Sequence, residues 1–298
     1  MSQKAIITTA NKQASLIPNQ PFPTLQDRDD YILIETICVA LNLTDLGCDY
    51  AGTVKALGPA VKRRFRTGDR VSGVVHGSDA LQPEDGSFAE YIVAKGDIQF
   101  RIPEDLSMGL VMPVTAAAAA ATAPTATTIP STKMTTEPEP ILIYGGSTTT
   151  GSLAIQFAKL SGYRVLTTCS PHNVPLVRSL SADAVFDYRD PQSATAIQTQ
   201  TSNRPGPVLD IISLSSSAQY RDTALSTQCG VYMALLPDVG IPRSNVADSF
   251  TVAYTSIGEG LGLGQGQLFE ASPAEFQFAE RISELAQGLV DKRMVRAH

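Results

Sequence analysis

Apolar and polar residues follow two different periods along the chain, and the change occurs near residue 140. Before residue 100, short β-rich runs are separated by Pro/Gly turns, a spacing that predicts a barrel-like antiparallel domain. Its predicted strands are Gln3–Thr9, Tyr31–Leu41, Cys48–Leu57, Asp69–Val75 and Gly86–Ala94. After residue 141, short apolar strands alternate with helical segments. That alternation predicts a parallel, doubly wound α/β sheet.

The predicted strands of the second half are 141–144, 163–169, 184–187, 208–214 and 231–236, with a further strand at Phe250–Ile257. An apolar repeat over Pro273–Leu289 predicts an amphipathic helix. Met112–Ala121 has helical propensity, and the Thr/Pro/Ala-rich run from there to Pro140 is typical of a connector. We therefore expect a first domain at 1–125, a second at 126–272 and a C-terminal helix within 273–298.

The strand, turn and helix between residues 141 and 161 are the pattern of a nucleotide-binding βαβ unit. Gly145 and Gly146 end the strand, and an apolar helix face follows. Turn amides and a helix N-terminus at this place can hold a pyrophosphate. Because Thr148 and Thr149 stand where glycines are often found, an ordinary strand–turn–helix remains open on this pattern alone.

The end of the second strand bears on cofactor choice. Tyr163–Cys169 is followed by Ser170-Pro-His-Asn173, and no Asp or Glu occurs between Gly162 and Asp183. A carboxylate at this place selects NAD by binding the ribose 2′-hydroxyl, whereas hydroxyl, imidazole and amide groups tolerate a 2′-phosphate. The pattern favours NADP(H). A plain turn with Asn173 as a helix N-cap is compatible with it.

Composition excludes several classes of protein. The formal charge of −6 and pI near 5.1 argue against a nucleic-acid surface, and no apolar run is long enough to span a bilayer. Four cysteines without paired spacing indicate reduced thiols, so we expect a cytoplasmic protein. There is no Cys-x-x-Cys and the three histidines lie far apart in sequence, so we expect no zinc.

The order of a β-rich domain and a nucleotide-binding domain resembles the medium-chain dehydrogenase/reductase superfamily, whose first domain is GroES-like. The segments that carry this likeness are Gly47-Cys-Asp-Tyr-Ala-Gly-Thr-Val54, Gly68-Asp-Arg-Val71 and Ala154-Ile-Gln-Phe-Ala-Lys159. Four further segments together resemble fungal trans-acting enoyl reductases: Val39-Ala-Leu-Asn42, Tyr144-Gly-Gly-Ser-Thr148, Cys169-Ser-Pro-His-Asn173 and Val185-Phe-Asp-Tyr-Arg189. Those enzymes are zinc-free, NADPH-dependent partners of highly reducing polyketide synthases. The resemblance therefore implies NADPH as cofactor and such a synthase as partner.

The resemblance also implies which residues bind cofactor and substrate. The implied phosphate ligands are Ser147, Thr148, Thr149 and Thr150. Around the 2′-phosphoribose it implies Ser170, Pro171, His172 and Asn173, with Tyr188 against the adenosine. Near the nicotinamide it implies Asn42, Leu235 and Leu236, the last replacing an Asn that is frequent in the family. The implied acyl-pocket residues are Thr115, Ala253, Tyr254, Thr255, Ser256 and Ile257.

Three stretches look shorter than in the family. They are the loop between Asn42 and Gly47, the helical segment between Leu106 and Thr115, and a C-terminal segment that returns to the first domain as a strand. Since the first loop would form one wall of the active cleft, nucleotide binding is better supported than turnover.

The implied reaction is hydride transfer from NADPH to the β-carbon of an α,β-unsaturated thioester, followed by protonation of the enolate. Tyr50, Thr115 and Ser78 are available hydroxyls, and the sequence selects none of them as proton donor. Two alternatives stay open: a stand-alone NADPH quinone or enone reductase, and a non-catalytic homologue that retains NADPH binding.

Overall fold

The chain divides into two compact units. The computed structural model describes residues 2–8, 13–41, 47–109, 138–204, 206–214, 222, 224, 226–235, 243–250, 253–263 and 266–296. One unit consists of Met1–Ala118 and Tyr254–Met294, and the other of Ala119–Ala253 and Val295–His298. From the sequence, the domain limits are expected at residues 125 and 272. The second limit differs from the bound at residue 253 because the segment that follows residue 253 packs with the first unit.

The first unit is built mainly from antiparallel strands. They are β1 (Ser2–Thr8), β2 (Ala14–Pro21), β3 (Tyr31–Val39), β4 (Asp49–Leu57), β5 (Arg70–Val74), β6 (Tyr91–Lys95) and β7 (Phe100–Arg101). β1 and β2 form a two-stranded sheet, and the other five form one sheet in the order β6-β3-β4-β5-β7. Alternate residues of its central strands, such as Ile32, Ile34 and Val54, are buried together with Tyr50 in one core.

The second unit contains a six-stranded parallel sheet. Its strands are β8 (Pro140–Tyr144), β9 (Arg164–Cys169), β10 (Ala184–Asp187), β11 (Pro207–Asp210), β12 (Gly230–Ala234) and β13 (Val246–Phe250), in the order β10-β9-β8-β11-β12-β13. Helices α1 (Thr149–Leu160), α2 (Val174–Ser179) and α3 (Ser193–Gln200) connect the first strands. The chain proceeds outward from β8 in both directions. The predicted doubly wound α/β fold is thus confirmed, and its switch point lies between β8 and β11.

The central strand of this sheet is buried on both faces, which explains its unbroken apolar run. Ile141 and Ile143 pack with Ile155 of α1 in one core. Leu142 points the other way and packs with Ile197 of α3 in a second core. Burial on both faces is the usual condition of a parallel strand between helical layers.

The chain then contributes a last segment to the first unit. It comprises a 3-10 helix (Ala253–Ile257), strands β14 (Leu261–Leu263) and β15 (Gln267–Phe269), and helix α4 (Pro273–Asp291). The Ser272 side chain accepts a hydrogen bond from the Glu275 amide at the start of α4. Ala279, Ile282 and Ala286 are buried at the helical spacing that the sequence predicts.

Several sequence-based expectations differ from the structure. The strand predicted at Phe250–Ile257 is wrong, since β13 ends at Phe250 and the following described residues form the 3-10 helix. The helix predicted at Met112–Ala121 and most of the connector that follows it lie outside the described residues.

No helix within the described ranges is long and apolar enough to cross a bilayer.

Candidate functional site

The turn between β8 and α1 holds strand and helix at close range. Gly145 has a φ of +92°, a conformation that favours glycine, and its amide donates to Oγ1 of Thr168 at 3.0 Å. A Cβ on Gly146 would lie 2.0 Å from Oγ1 of Thr167, and one on Gly151 would lie 2.2 Å from the Gly145 carbonyl oxygen. Because these two residues lack side chains, the Gly146 backbone can lie against the Thr167 side chain and the Gly151 backbone against that of Gly145.

The N-terminus of α1 presents backbone donors at this turn. Oγ1 of Thr148 accepts from the Gly151 amide at 3.0 Å and donates to the Gly145 carbonyl at 2.8 Å, so this hydroxyl caps the helix. The amides of Ser147, Thr149 and Thr150 have no hydrogen-bond partner among the residues that the structure describes. They are available to an anion such as a pyrophosphate.

The carboxyl ends of β9 and β10 bring a second group of predicted residues together. Cys169 pairs with Asp187 in the parallel register, so Ser170 and Tyr188 leave the sheet side by side. Ser170 Oγ lies 3.5 Å from the Tyr188 hydroxyl and 3.4 Å from Nη2 of Arg189. The hydrogen bond from Ser170, assisted by Arg189, lowers the pKa of Tyr188.

The rest of the predicted ribose segment forms a short turn. Pro171–Asn173 is a 3-10 helix that leads into α2, and both Pro171 and His172 are exposed. Asn173 occupies the N-cap position of α2, but its side chain makes no capping hydrogen bond.

Leu235 lies directly after β12, at the same edge of the sheet. Its amide donates to Ser213 Oγ at 3.0 Å, beside a buried bond from the Tyr232 hydroxyl to Asp210. Three other residues that the resemblance implied, Asn42, Thr115 and Leu236, lie outside the described residues.

Some residues of the predicted acyl-pocket stretch line a small cavity, and others are buried in the core. Tyr254 and Ile257 line a cavity of about 20 Å³ within the first unit, room for about one water molecule. Ile257 also packs against Ile98 and Ala279 in the core, and Ser256 is buried. Thr255 is only partly buried, and the Ala253 side chain lies outside what the structure describes.

His76 on the wall of this cavity is a residue that the sequence did not single out. Its ring meets the Tyr254 ring edge-on at 4.7 Å between centroids, and its Nδ1 lies 3.7 Å from Asp79. Neither imidazole nitrogen has a hydrogen-bond partner within the described part of the chain. Burial lowers the pKa of His76 although Asp79 opposes the shift, so the ring is neutral near pH 7.

Charged side chains line the rest of the cavity. Lys95 bridges Asp30 at 2.9 Å and Glu259 at 2.7 Å. Burial opposes the charge on Glu259, but the bonds from Lys95 and Tyr31 outweigh it and lower the pKa of that carboxyl. Burial raises the pKa of Asp85 to about 6, even though Arg28 is 2.7 Å away.

One of the three hydroxyls considered as proton donors is buried in the core of the first unit. Tyr50 is fully buried, its hydroxyl donates to Gln99 Oε1 at 2.8 Å, and burial raises its pKa well above the usual range. Tyr50 therefore cannot deliver a proton to a substrate. Ser78 is exposed.

The described residues of the second unit suit a dinucleotide. Glycines permit close approach at the turn after β8, and backbone amides there are available to an anion. The Ser170 hydroxyl follows β9 and the Arg189 guanidinium follows β10. Within the described ranges, no group of three or more His, Cys, Asp or Glu residues is arranged to hold a metal ion.

Comparison with known proteins identifies the family. Residues 28–104 match the alcohol dehydrogenase GroES-like domain. The chain is 48% identical to the trans-enoyl reductase TOXD of Cochliobolus carbonum over 87% of its own length and 91% of that protein. This chain belongs to the fungal trans-enoyl reductases.

A second relative of this trans-enoyl reductase supports the same family. It is 40% identical to the trans-enoyl reductase resD of Aspergillus sclerotiorum, over 99% of this chain and 90% of that one. The aligned region spans 326 positions, more than the 298 residues present here, so resD carries internal residues without a counterpart in this chain. The expected internal shortening is consistent with that difference.

A solved structure supports the fold of this trans-enoyl reductase. An alcohol dehydrogenase superfamily protein from Novosphingobium aromaticivorans matches with a TM-score of 0.75 at 20% identity, over 99% of this chain and 88% of that chain. The GroES-like domain and the parallel-sheet domain together place the chain in the medium-chain dehydrogenase/reductase superfamily.

Proposed function

We propose that this protein is an NADPH-dependent trans-acting enoyl reductase that reduces α,β-unsaturated acyl thioesters held on a highly reducing polyketide synthase. One combination of features carries the proposal. The chain is 48% identical to a trans-enoyl reductase, and it has a glycine turn after β8 and no acidic residue at the end of β9.

The proposed cofactor contacts follow the carboxyl edge of the parallel sheet. The amides of Ser147, Thr149 and Thr150 bind the pyrophosphate, and Thr148 holds the turn in shape. Ser170 and Tyr188 bind the 2′-phosphoribose side of the adenosine, together with Pro171, His172 and Asn173. Asn42, Leu235 and Leu236 stand beside the nicotinamide.

Choice of NADPH over NADH follows from charge. Since no carboxylate occurs between Gly162 and Asp183, nothing at the end of β9 repels a 2′-phosphate. Ser170 and His172 can donate to that phosphate.

The proposed chemistry divides between cofactor and chain. Reduced nicotinamide supplies the hydride that is added to the β-carbon of the enoyl group. The chain orients the acyl group along Thr115 and Ala253–Ile257, and the α-carbon then takes up a proton. Because Tyr50 is buried in the core, that proton comes from another group or from solvent.

We place the reaction in the cytoplasm. All four cysteines are free thiols, which suits a reducing compartment. A net charge of −6 suits a protein without a nucleic-acid partner.

The test follows NADPH oxidation by the purified chain with three acceptors: an enoyl group on an acyl carrier protein, the same enoyl group on a short free thioester, and a quinone. We expect the carrier-bound enoyl group to be reduced fastest, because the partner presents the chain. Reduction of the quinone alone would identify a stand-alone quinone reductase. Tight NADPH binding without turnover of any acceptor would identify a non-catalytic homologue.

A further inference from the structure

Arg189 is the residue at the nucleotide site that the sequence pattern did not assign. It follows Tyr188 at the end of β10, it is exposed, and its guanidinium carbon lies 5.2 Å from the centre of the Tyr188 ring. Its Nη2 lies 3.4 Å from Ser170 Oγ. A cation therefore stands beside the end of β9, where the sequence has no acid.

Parallel pairing fixes this arrangement. β10 and β9 run in register with Asp187 opposite Cys169, so the residues after each strand emerge at one edge of the sheet. The Arg189 amide donates to Asp187 Oδ1 at 3.0 Å, which shapes the turn that carries the guanidinium.

The guanidinium has capacity left for a ligand. It makes no ion pair within 4.0 Å with a carboxylate among the described residues. The nearby acids are engaged with the turn backbone: Asp187 accepts from the Arg189 amide, and Asp190 accepts from the Gln192 amide at 2.9 Å. An arginine whose guanidinium lies over an aromatic ring can present its fork of N–H donors to a phosphate.

We propose that Arg189, stacked on Tyr188, binds the 2′-phosphate of the cofactor and is the main determinant of NADPH preference in this chain. The inference rests on the proposed function, because it requires that the site at β8, β9 and β10 takes a nicotinamide dinucleotide. NADH lacks the phosphate, so its binding should not depend on the Arg189 charge.

The experiment measures dissociation constants for NADPH, NADH, 2′,5′-ADP and 5′-AMP by calorimetry, with no need for turnover. Arg189→Ala should weaken NADPH and 2′,5′-ADP at least about tenfold and leave NADH and 5′-AMP within about twofold. Arg189→Lys keeps the charge without the planar fork and should fall between.

Arg164→Ala is the matched control. It removes the same charge at the other end of β9, roughly 20 Å from Ser170 at about 3.3 Å per residue. All four affinities should stay unchanged in that variant. Because Arg189 is exposed, its variants should retain the circular dichroism spectrum and melting temperature of the unmodified chain.

The outcomes separate the two proposals. If the unmodified chain prefers NADPH and Arg189→Ala keeps that preference, the role of Arg189 is refuted while the proposed function stands. Equal weakening of NADPH and NADH in Arg189→Ala would also refute it, since the residue would then support the fold of the site. A chain that binds neither dinucleotide would overturn the proposed function together with this inference.

Discussion

Gly151 shows how one residue sets the distance between β8 and α1. It lies in a helix, where Ala is intrinsically favoured over Gly by about 1 kcal/mol. A Cβ there would nevertheless lie 2.2 Å from the Gly145 carbonyl oxygen and 2.8 Å from the Gly146 Cα. Both contacts are with backbone, so the helix would have to move away from the turn.

We expect Gly151→Ala to lower the free energy of unfolding by roughly 1–3 kcal/mol and to weaken dinucleotide binding. Urea denaturation and nucleotide titration measure the two effects. Gly288→Ala is the control, because it makes the same change in α4, where a Cβ would meet nothing within 4 Å. That variant should gain up to about 1 kcal/mol. Equal stability of the two variants would show that the turn relaxes freely.

At the scale of elements, the end of β9 offers a second test of cofactor choice, at a side chain that lies 3.4 Å from Nη2 of Arg189. Ser170→Asp would place a carboxylate beside the 2′-phosphate, where it would repel NADPH and accept the 2′-hydroxyl of NADH. We expect the ratio of the NADPH and NADH dissociation constants to reverse. Thr195→Asp adds the same charge to an exposed position in the first turn of α3, where acids are tolerated, and should leave the ratio unchanged. Unmodified protein that binds both nucleotides equally would contradict the premise.

The elements that the sequence predicts well are those with a strong burial pattern. β8 is apolar because both of its faces are covered, and α4 carries its buried residues at helical spacing. β2 was not predicted because all of its residues are exposed or only partly buried, so it lacks a regular apolar alternation. The stretch Ala253–Ile257 has strand-forming residues, but Ile257 joins the core and Gly258 follows with a φ of +81°.

In the candidate site, too, some features could be predicted from local sequence and others depend on the tertiary structure. The glycine turn and the acid-free end of β9 are local patterns that one segment of sequence contains. The contact of Arg189 with Ser170 joins residues 19 positions apart, and it depends on the register of β10 against β9. A buried His76 beside Tyr254 likewise depends on tertiary packing. Only its spacing of three residues from Asp79 was visible in sequence.

At the scale of the whole molecule, the ligand chemistry of the chain predicts a protein without zinc. All four cysteines are free, and the described residues contain no His, Cys, Asp and Glu cluster suited to a metal. Elemental analysis should find far less than one zinc per chain, and a chelator should change neither the melting temperature nor the rate of NADPH oxidation. Stoichiometric zinc that is lost together with stability would contradict this prediction.

Stability of the molecule should also depend on pH through Asp85. Its side chain is 8% exposed, and burial raises its pKa to about 6 although Arg28 opposes the shift. Between pH 4 and 6 the folded chain therefore binds a proton that the unfolded chain has released. Since the folded state binds more protons there, stability falls as pH rises through this window. A shift of about two units corresponds to a cost of at most about 3 kcal/mol above pH 6.

Asp85→Asn removes this titration and keeps an oxygen that can accept from Arg28. We expect the variant to gain up to about 3 kcal/mol relative to the unmodified chain between pH 4 and pH 7. The gain is measured as a difference of denaturation free energies at each pH, so titrations that do not interact with Asp85 cancel between the two proteins. Glu259 interacts with Asp85, so its contribution belongs to the measured difference. Glu104→Gln, at an exposed carboxyl of the same unit, should show no such change. Parallel pH profiles for Asp85→Asn and the unmodified chain would mean that Arg28 compensates fully for the burial of Asp85.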